Sequence, residues 1–243
     1  MPGLSVIDGT PRDCATPGCG SEADTSVIRK NGSPLGKTAG GGQVDAASAI
    51  ATFMGTGAAS RIKRHLLGPR AGPKARALKD LFGGGKGGGS AGTTEAVGVK
   101  TPKGTVEDGV AAAAGSGATS GLPTVGADGV ISMTMHQVNQ DGAGPMTAAI
   151  DPTSGGTDEA AFQSAQMIAD VPGTIAGLSG TTTTDFPIKV QMPAGMTCSG
   201  TVAGVSGVCI VRVKNSTPAG PFGGSAAFTQ EVVGAAGNAT AAA

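Results

Sequence analysis

The chain contains two histidines, His65 and His136, in 243 residues, and only His136 has partners close by that could share its chemistry. In HQVNQDGAGP, His136 to Pro145, the imidazole precedes Gln137, Asn139 and Asp141 and then a Gly-rich turn. An imidazole is the side chain here best suited to hold copper or zinc near neutral pH. His136 is therefore the candidate metal ligand, with Gln137 and Asp141 beside it. A lone histidine is more often a surface or hydrogen-bonded residue, and the same stretch reads as the corner of a β-hairpin. On that second reading DGAG supplies the positive φ that a tight connection needs.

The four cysteines form two near pairs, Cys14/Cys19 and Cys198/Cys209. Neither pair has CxxC-type spacing or a close histidine, so local disulfides are a better account than zinc. Each would contribute about 2–3 kcal/mol by loop entropy and implies an oxidising compartment. The opening MPGLSVIDGTPRDC has no charged n-region or apolar h-region. It reads as a mature or shortened form, or as a start placed inside a longer precursor. HExxH, GxSxG and Walker patterns are all missing from the sequence, so conventional hydrolase and nucleotide chemistry are not expected. Asn238-Ala239-Thr240 is a glycosylation sequon, while Asn31-Gly32-Ser33 and Asn215-Ser216-Thr217 are each weakened by a following Pro.

These side chains must be positioned by a modest set of elements. Gly at 44 and Pro at 15 predict long loops, and with no Trp, no Tyr and six Phe the core must be aliphatic. Val44, Ala47, Ile50, Ala51 and Met54 share one face at helical spacing, which predicts one short N-terminal helix over 43–54. A second short helix is suggested around 106–114. In VISMTMH, Val130 to His136, residues 131, 133 and 135 are apolar and 132, 134 and 136 polar, the alternation of a half-buried strand. That places His136 away from the core face. Further strands are expected over 146–150, 165–171, 186–192, 208–213 and 226–233. Between the last two, Lys214 to Gly224 reads as a Pro/Gly loop presenting Phe222, either as a core plug or as an exposed platform.

Such short strands divided by turns predict a mainly β fold, an immunoglobulin-like antiparallel β-sandwich with long loops. It would be a single domain over 1–235, interrupted by a flexible basic Gly-rich insertion at 56–96 and ending in a disordered tail at 236–243. Within the insertion, Arg61-Ile62-Lys63-Arg64 reads as a solvated loop or a processing site. Lys plus Arg equal Asp plus Glu at 17 each, so nucleic acid is not the expected partner. Nor does any apolar run approach the ~18 residues of a membrane span.

Taken together, MPGLSVIDGTPRDC, GCGSEADTSVIR, SPLGKTAGGGQVDAA, KTPKGTVEDGVAAAAGSGATSGLP, MTMHQVNQDGAGP and TDFPIKVQMPAGMTCSGTVAGVSGVCIVRVKNSTPAGPFGGSAAFTQ resemble the Egh-like family of secreted fungal proteins. These are also called GAS or MAS proteins. The resemblance covers roughly residues 1–56 and 97–230. It implies an extracellular, appressorium-associated virulence factor acting in host penetration, of unsettled biochemical activity; a monomer that contacts host or fungal wall polysaccharide is the accompanying expectation. More distantly, the order of strand, HQVNQDGAGP and late AGPFGG loop is similar to lytic polysaccharide monooxygenases. Those are β-sandwiches that hold copper with an N-terminal histidine and a second histidine, with Tyr or Phe in the axial place. That likeness implies His136 as second ligand and Phe222 as the axial aromatic. Because position 1 is Met, it implies a copper enzyme only in a longer form starting with histidine; for the chain as given, no cofactor and no catalysis are expected.

Overall fold

A computed structural model of the protein describes residues 1–57 and 93–231. Arg61-Ile62-Lys63-Arg64, His65, most of the basic insertion and the tail from 236 lie outside the described residues. The chain runs through β1 (Ser26–Val27), β2 (Lys37–Thr38), β3 (Gly42–Gln43), α1 (Ala46–Phe53), β4 (Thr94–Glu95) and β5 (Val99–Lys100). It continues through α2 (Gly109–Ala113), α3 (Gly117–Ser120), β6 (Thr124–Val125), β7 (Val130–Gln137), β8 (Thr147–Asp151) and β9 (Gln163–Asp170). It closes with β10 (Thr184–Gln191), β11 (Gly200–Val202), β12 (Val205–Lys214) and β13 (Phe222–Gln230).

The long strands pair antiparallel in the order β13-β12-β8-β9-β10, with the short β1 beside β13 and β7 on the far side of β10. Strand β9 makes the fold turn over on itself. Its first residues, 163–165, pair with β8, and 166–169 pair with β10. One strand thus serves two layers, and the result is the mainly β, sandwich-like architecture expected. Two short pairings are parallel, β6 on β13 and β4 on β9. The second corrects the boundary of the insertion: Thr94 and Glu95 join the sheet and Ala96 is buried.

Strand β12 is buried on both faces, which explains its near-continuous apolar run. Cys209, Val211 and Val213 face a cluster with Ile131, Ile188, Val190 and Phe228. Val208 and Ile210 face the opposite way, toward Leu35, Ile50 and Phe53. The second cluster is capped by α1, where Ala46, Ile50 and Phe53 are buried at i, i+4 and i+7. Asp45 starts that helix by accepting a hydrogen bond from the Ala47 N–H at 2.9 Å, satisfying a donor with no partner inside the helix. The short helix expected near 106–114 is present as α2, and α3 adds another, so α1 is not alone.

Both cysteine pairs are disulfides. Cys198–Cys209 closes the β11–β12 hairpin, whose two-residue turn places Ala203 and Gly204 at φ 51° and 82°. A turn of that hand matches the twist of paired strands.

Candidate functional site

His136 is the penultimate residue of β7 and lies directly across from Asp185 on β10. Cross-strand neighbours on one face stand close enough to bond. Here Nδ1 and the Asp185 Oδ1 are 2.7 Å apart. The alternation of β7 does put His136 on the face opposite Ile131, but outward does not mean exposed: its side chain is only 13 % accessible, while that of Asp185 is 46 %. Its Nε2 is buried and has no partner among the described residues. A carboxylate on one ring nitrogen fixes the ring and aims the other.

Next to it, Gln137 turns the other way and is buried. Its amide nitrogen reaches the Asn139 carbonyl, the Ser179 hydroxyl and the Thr181 carbonyl at 2.8–2.9 Å. Gln137 therefore ties the segment after β7 to the one before β10 and is a structural clamp. At the end of the second segment, just before β10, Thr183, a β-branched residue, sits at φ 42°. It is held there by the bonds Thr183 N–H to Val138 O and Thr101 N–H to Thr183 O, both 2.9 Å. Such a conformation costs of order 1–3 kcal/mol and persists only where the surroundings impose it.

The turn after His136 differs from expectation. Gln140–Gly142 is a 3-10 turn, and neither Gly142 nor Gly144 is at positive φ. Gly144 is required for another reason: a Cβ there would collide with the Val171 carbonyl. The segment is pinned by a residue whose role sequence reasoning missed. Asn215 donates to the Asp141 and Ala143 carbonyls at 2.7 and 3.1 Å and accepts from the Phe222 N–H at 2.9 Å. Asparagine inside a Pro/Gly loop was the available signal.

His136, Asp141 and Phe222 all border one cleft of about 840 Å³, whereas Gln137 does not. Phe222 is half-buried, neither core plug nor open platform, and it begins strand β13 and does not sit within a loop. The cleft is rich in carboxylates, with Glu22, Asp24, Glu107, Asp108, Asp141 and Asp185 on its walls. Arg12 sets one wall, its guanidinium 2.5 Å from Asp24 and 2.7 Å from Glu107. Burial works against that charge, but the two carboxylates outweigh it and raise the Arg12 pKa. Asn139 donates to Glu22 at 2.7 Å, and the Asp141 Oδ1 is buried without a partner.

Copper would need more donors than this. His136 offers one free imidazole nitrogen, and no three His, Cys, Asp or Glu side chains converge among the described residues. Copper sites combine several nitrogen or sulfur ligands, so the donors described do not fit one, and they lend the monooxygenase alternative no support.

Fold and site define a mainly β, disulfide-bonded protein with a carboxylate-lined cleft. The chain belongs to the Egh16-like virulence factor family, which it matches over residues 1–223. It is 53% identical over 251 aligned residues to the appressoria-specific virulence factor GAS2 of Pyricularia oryzae, covering 95% of this chain and 78% of the relative. It is 41% identical over 105 residues to the appressoria-specific virulence factor GAS1 of the same fungus, covering 43% of this chain and 41% of the relative. No solved structure matches it. Among the described residues no helix is long and apolar enough to cross a membrane.

Proposed function

We propose that this protein is exported by a fungus and acts outside the cell during host penetration, as a monomer that contacts host or fungal wall polysaccharide without a cofactor. The observation that carries this reading is the 53% identity, over 95% of the chain, to a virulence factor specific to appressoria. Two disulfides, one of them with both halves on the β11–β12 hairpin region of the core, suit an oxidising, extracellular setting. The polar end of the cleft supports the polysaccharide contact. There Glu22, His136, Asn139, Asp141 and Asp185 border the cleft, polar side chains that suit sugar hydroxyls, which can both donate and accept.

Sedimentation with insoluble chitin, cellulose and β-glucan tests the reading. Folded protein should be retained on at least one polymer, and the double variant His136→Ala/Asp141→Ala should lower retention about tenfold, the ratio given by roughly 1.4 kcal/mol. Chelator should leave retention unchanged. Failure of folded wild-type protein to sediment with any of the three overturns the polysaccharide contact. A tagged copy that stays inside the hypha overturns export.

A further inference from the structure

Strand β7 has one partner among the described residues, β10, and its other edge pairs with nothing. Successive side chains of a strand point to opposite faces, so a cleft beside one face would touch alternate residues only. Here every residue from Ile131 to His136 borders the cleft, which means that the cleft runs along the open edge itself. The opposite wall is β13, from which residues 222 to 228 also contribute without a gap. That strand is paired on this side only near its ends, by β1 at 222–223 and β6 at 229–230, with Leu4 N–H bonding the Ser225 carbonyl between them. The cleft lies between the two edges, with Met1, Pro2, Gly3, Ser5 and Val6 also on its lining. Six residues of edge span about 20 Å at roughly 3.3 Å each.

Open edges are usually blunted by Lys, Pro, a bulge or an inward charge. VISMTMHQ has no Lys or Pro and no acidic residue, and β7 pairs with β10 in unbroken register. We infer that the β7 edge is a docking site for an extended basic segment of another protein, which adds as a strand in the cleft. The backbone N–H and C=O groups along the edge would give affinity, and pockets for alternate side chains would give selectivity. Methionines 133, 135 and 146 on the lining supply adaptable apolar contacts. Charge sets the sign of the partner: Glu22, Asp108, Asp141 and Asp185 border the cleft, and the Arg12 cation is already engaged by Asp24 and Glu107. Lys or Arg on the incoming strand matches that field.

This goes beyond the polysaccharide contact and does not depend on it. The probe is a fluorescent heptapeptide of alternating lysine and valine, titrated against the intact protein by anisotropy. Its partners are a glutamate-for-lysine version and a version N-methylated at alternate backbone nitrogens. The lysine peptide should bind at least about tenfold more tightly than either, roughly 1.4 kcal/mol. It should slow amide exchange at 131–136, and wherever a polysaccharide retains the protein the peptide should compete with it, since both use the cleft that His136 and Asp141 border. Equal binding of the N-methylated peptide, or unchanged exchange at 131–136, overturns the proposal with no variant needed. Displacement of the lysine peptide by chito-oligosaccharide with no protection of β7, or an edge-to-edge dimer that excludes it, also overturns it.

Discussion

At the scale of single residues, two buried carboxylates act in opposite directions. Asp151 is fully buried and accepts from the backbone of Thr153, Ser154 and Gly156 and from the Ser154 hydroxyl at 2.5–2.9 Å. Burial alone would raise its pKa, but these donors outweigh that and hold it below the usual range. Asp170 is pushed the other way: burial raises it, the Met146 and Val171 N–H groups offset only part, and Glu95 adds to the rise. The linkage signs follow. Asp151 contributes stability that is present above its unfolded pKa of about 3.9 and is lost as pH falls through its folded value. Asp170, with a raised folded pKa, contributes stability that fades as pH rises from about 3.9 toward that value. In denaturant titrations, wild type minus Asp151→Asn should therefore shrink on acidification, and wild type minus Asp170→Asn should shrink as pH rises. Asp151→Ala at pH 7 should cost on the order of 3 kcal/mol, since it strands several buried donors. Asn215 carries a different expectation. Because it is buried with its amide nitrogen committed to two carbonyls, peptide mapping of the protein expressed through a secretory route should show no glycan at Asn215.

At the scale of elements, the two disulfides are unequal. Cys14–Cys19 spans 5 residues and ties an exposed turn, while Cys198–Cys209 spans 11 and ends on a residue with no accessible surface. Loop entropy gives about 2 and about 3 kcal/mol respectively. The pair Cys198→Ser/Cys209→Ser should lower the denaturation midpoint by more than Cys14→Ser/Cys19→Ser, because it also buries a hydroxyl in an apolar cluster. The segment 139–146 is equally constrained. Gly144→Ala should cost about 2 kcal/mol or more, as the Cβ meets the Val171 carbonyl and the backbone of one segment must move. Thermal unfolding monitored by circular dichroism reads both effects.

At the scale of the whole molecule, stability rests on two aliphatic clusters that share β12. Ile210 is fully buried on one side and Val211 on the other. Ile210→Ala should cost about 2–5 kcal/mol and Val211→Ala somewhat less. Their effects should be close to additive, since the two side chains face different clusters and share no cavity. A coupling energy well above about 0.5 kcal/mol in the double variant would show that the clusters behave as one.

Much of this was legible from local pattern alone. Period-two alternation located β7 and β10, helical spacing of apolar residues located α1, and close cysteine spacing located both disulfides, because each of these depends on near neighbours in the chain. Residue identities also carried the family, since HQVNQDGAGP and the run through both late cysteines are specific. What needed the tertiary structure was everything set by distant pairing. His136 acquires a fixed ring only because β10 brings Asp185 across from it, 49 residues away. Phe222 became a strand residue on the cleft because its backbone pairs with Val27, a match no window around AGPFGG contains. Gly144 is needed for a close approach by Val171 and not for turn geometry. The cleft exists only because the fold sets residues 131–136 of β7 and 222–228 of β13, far apart in the chain, along the same cavity.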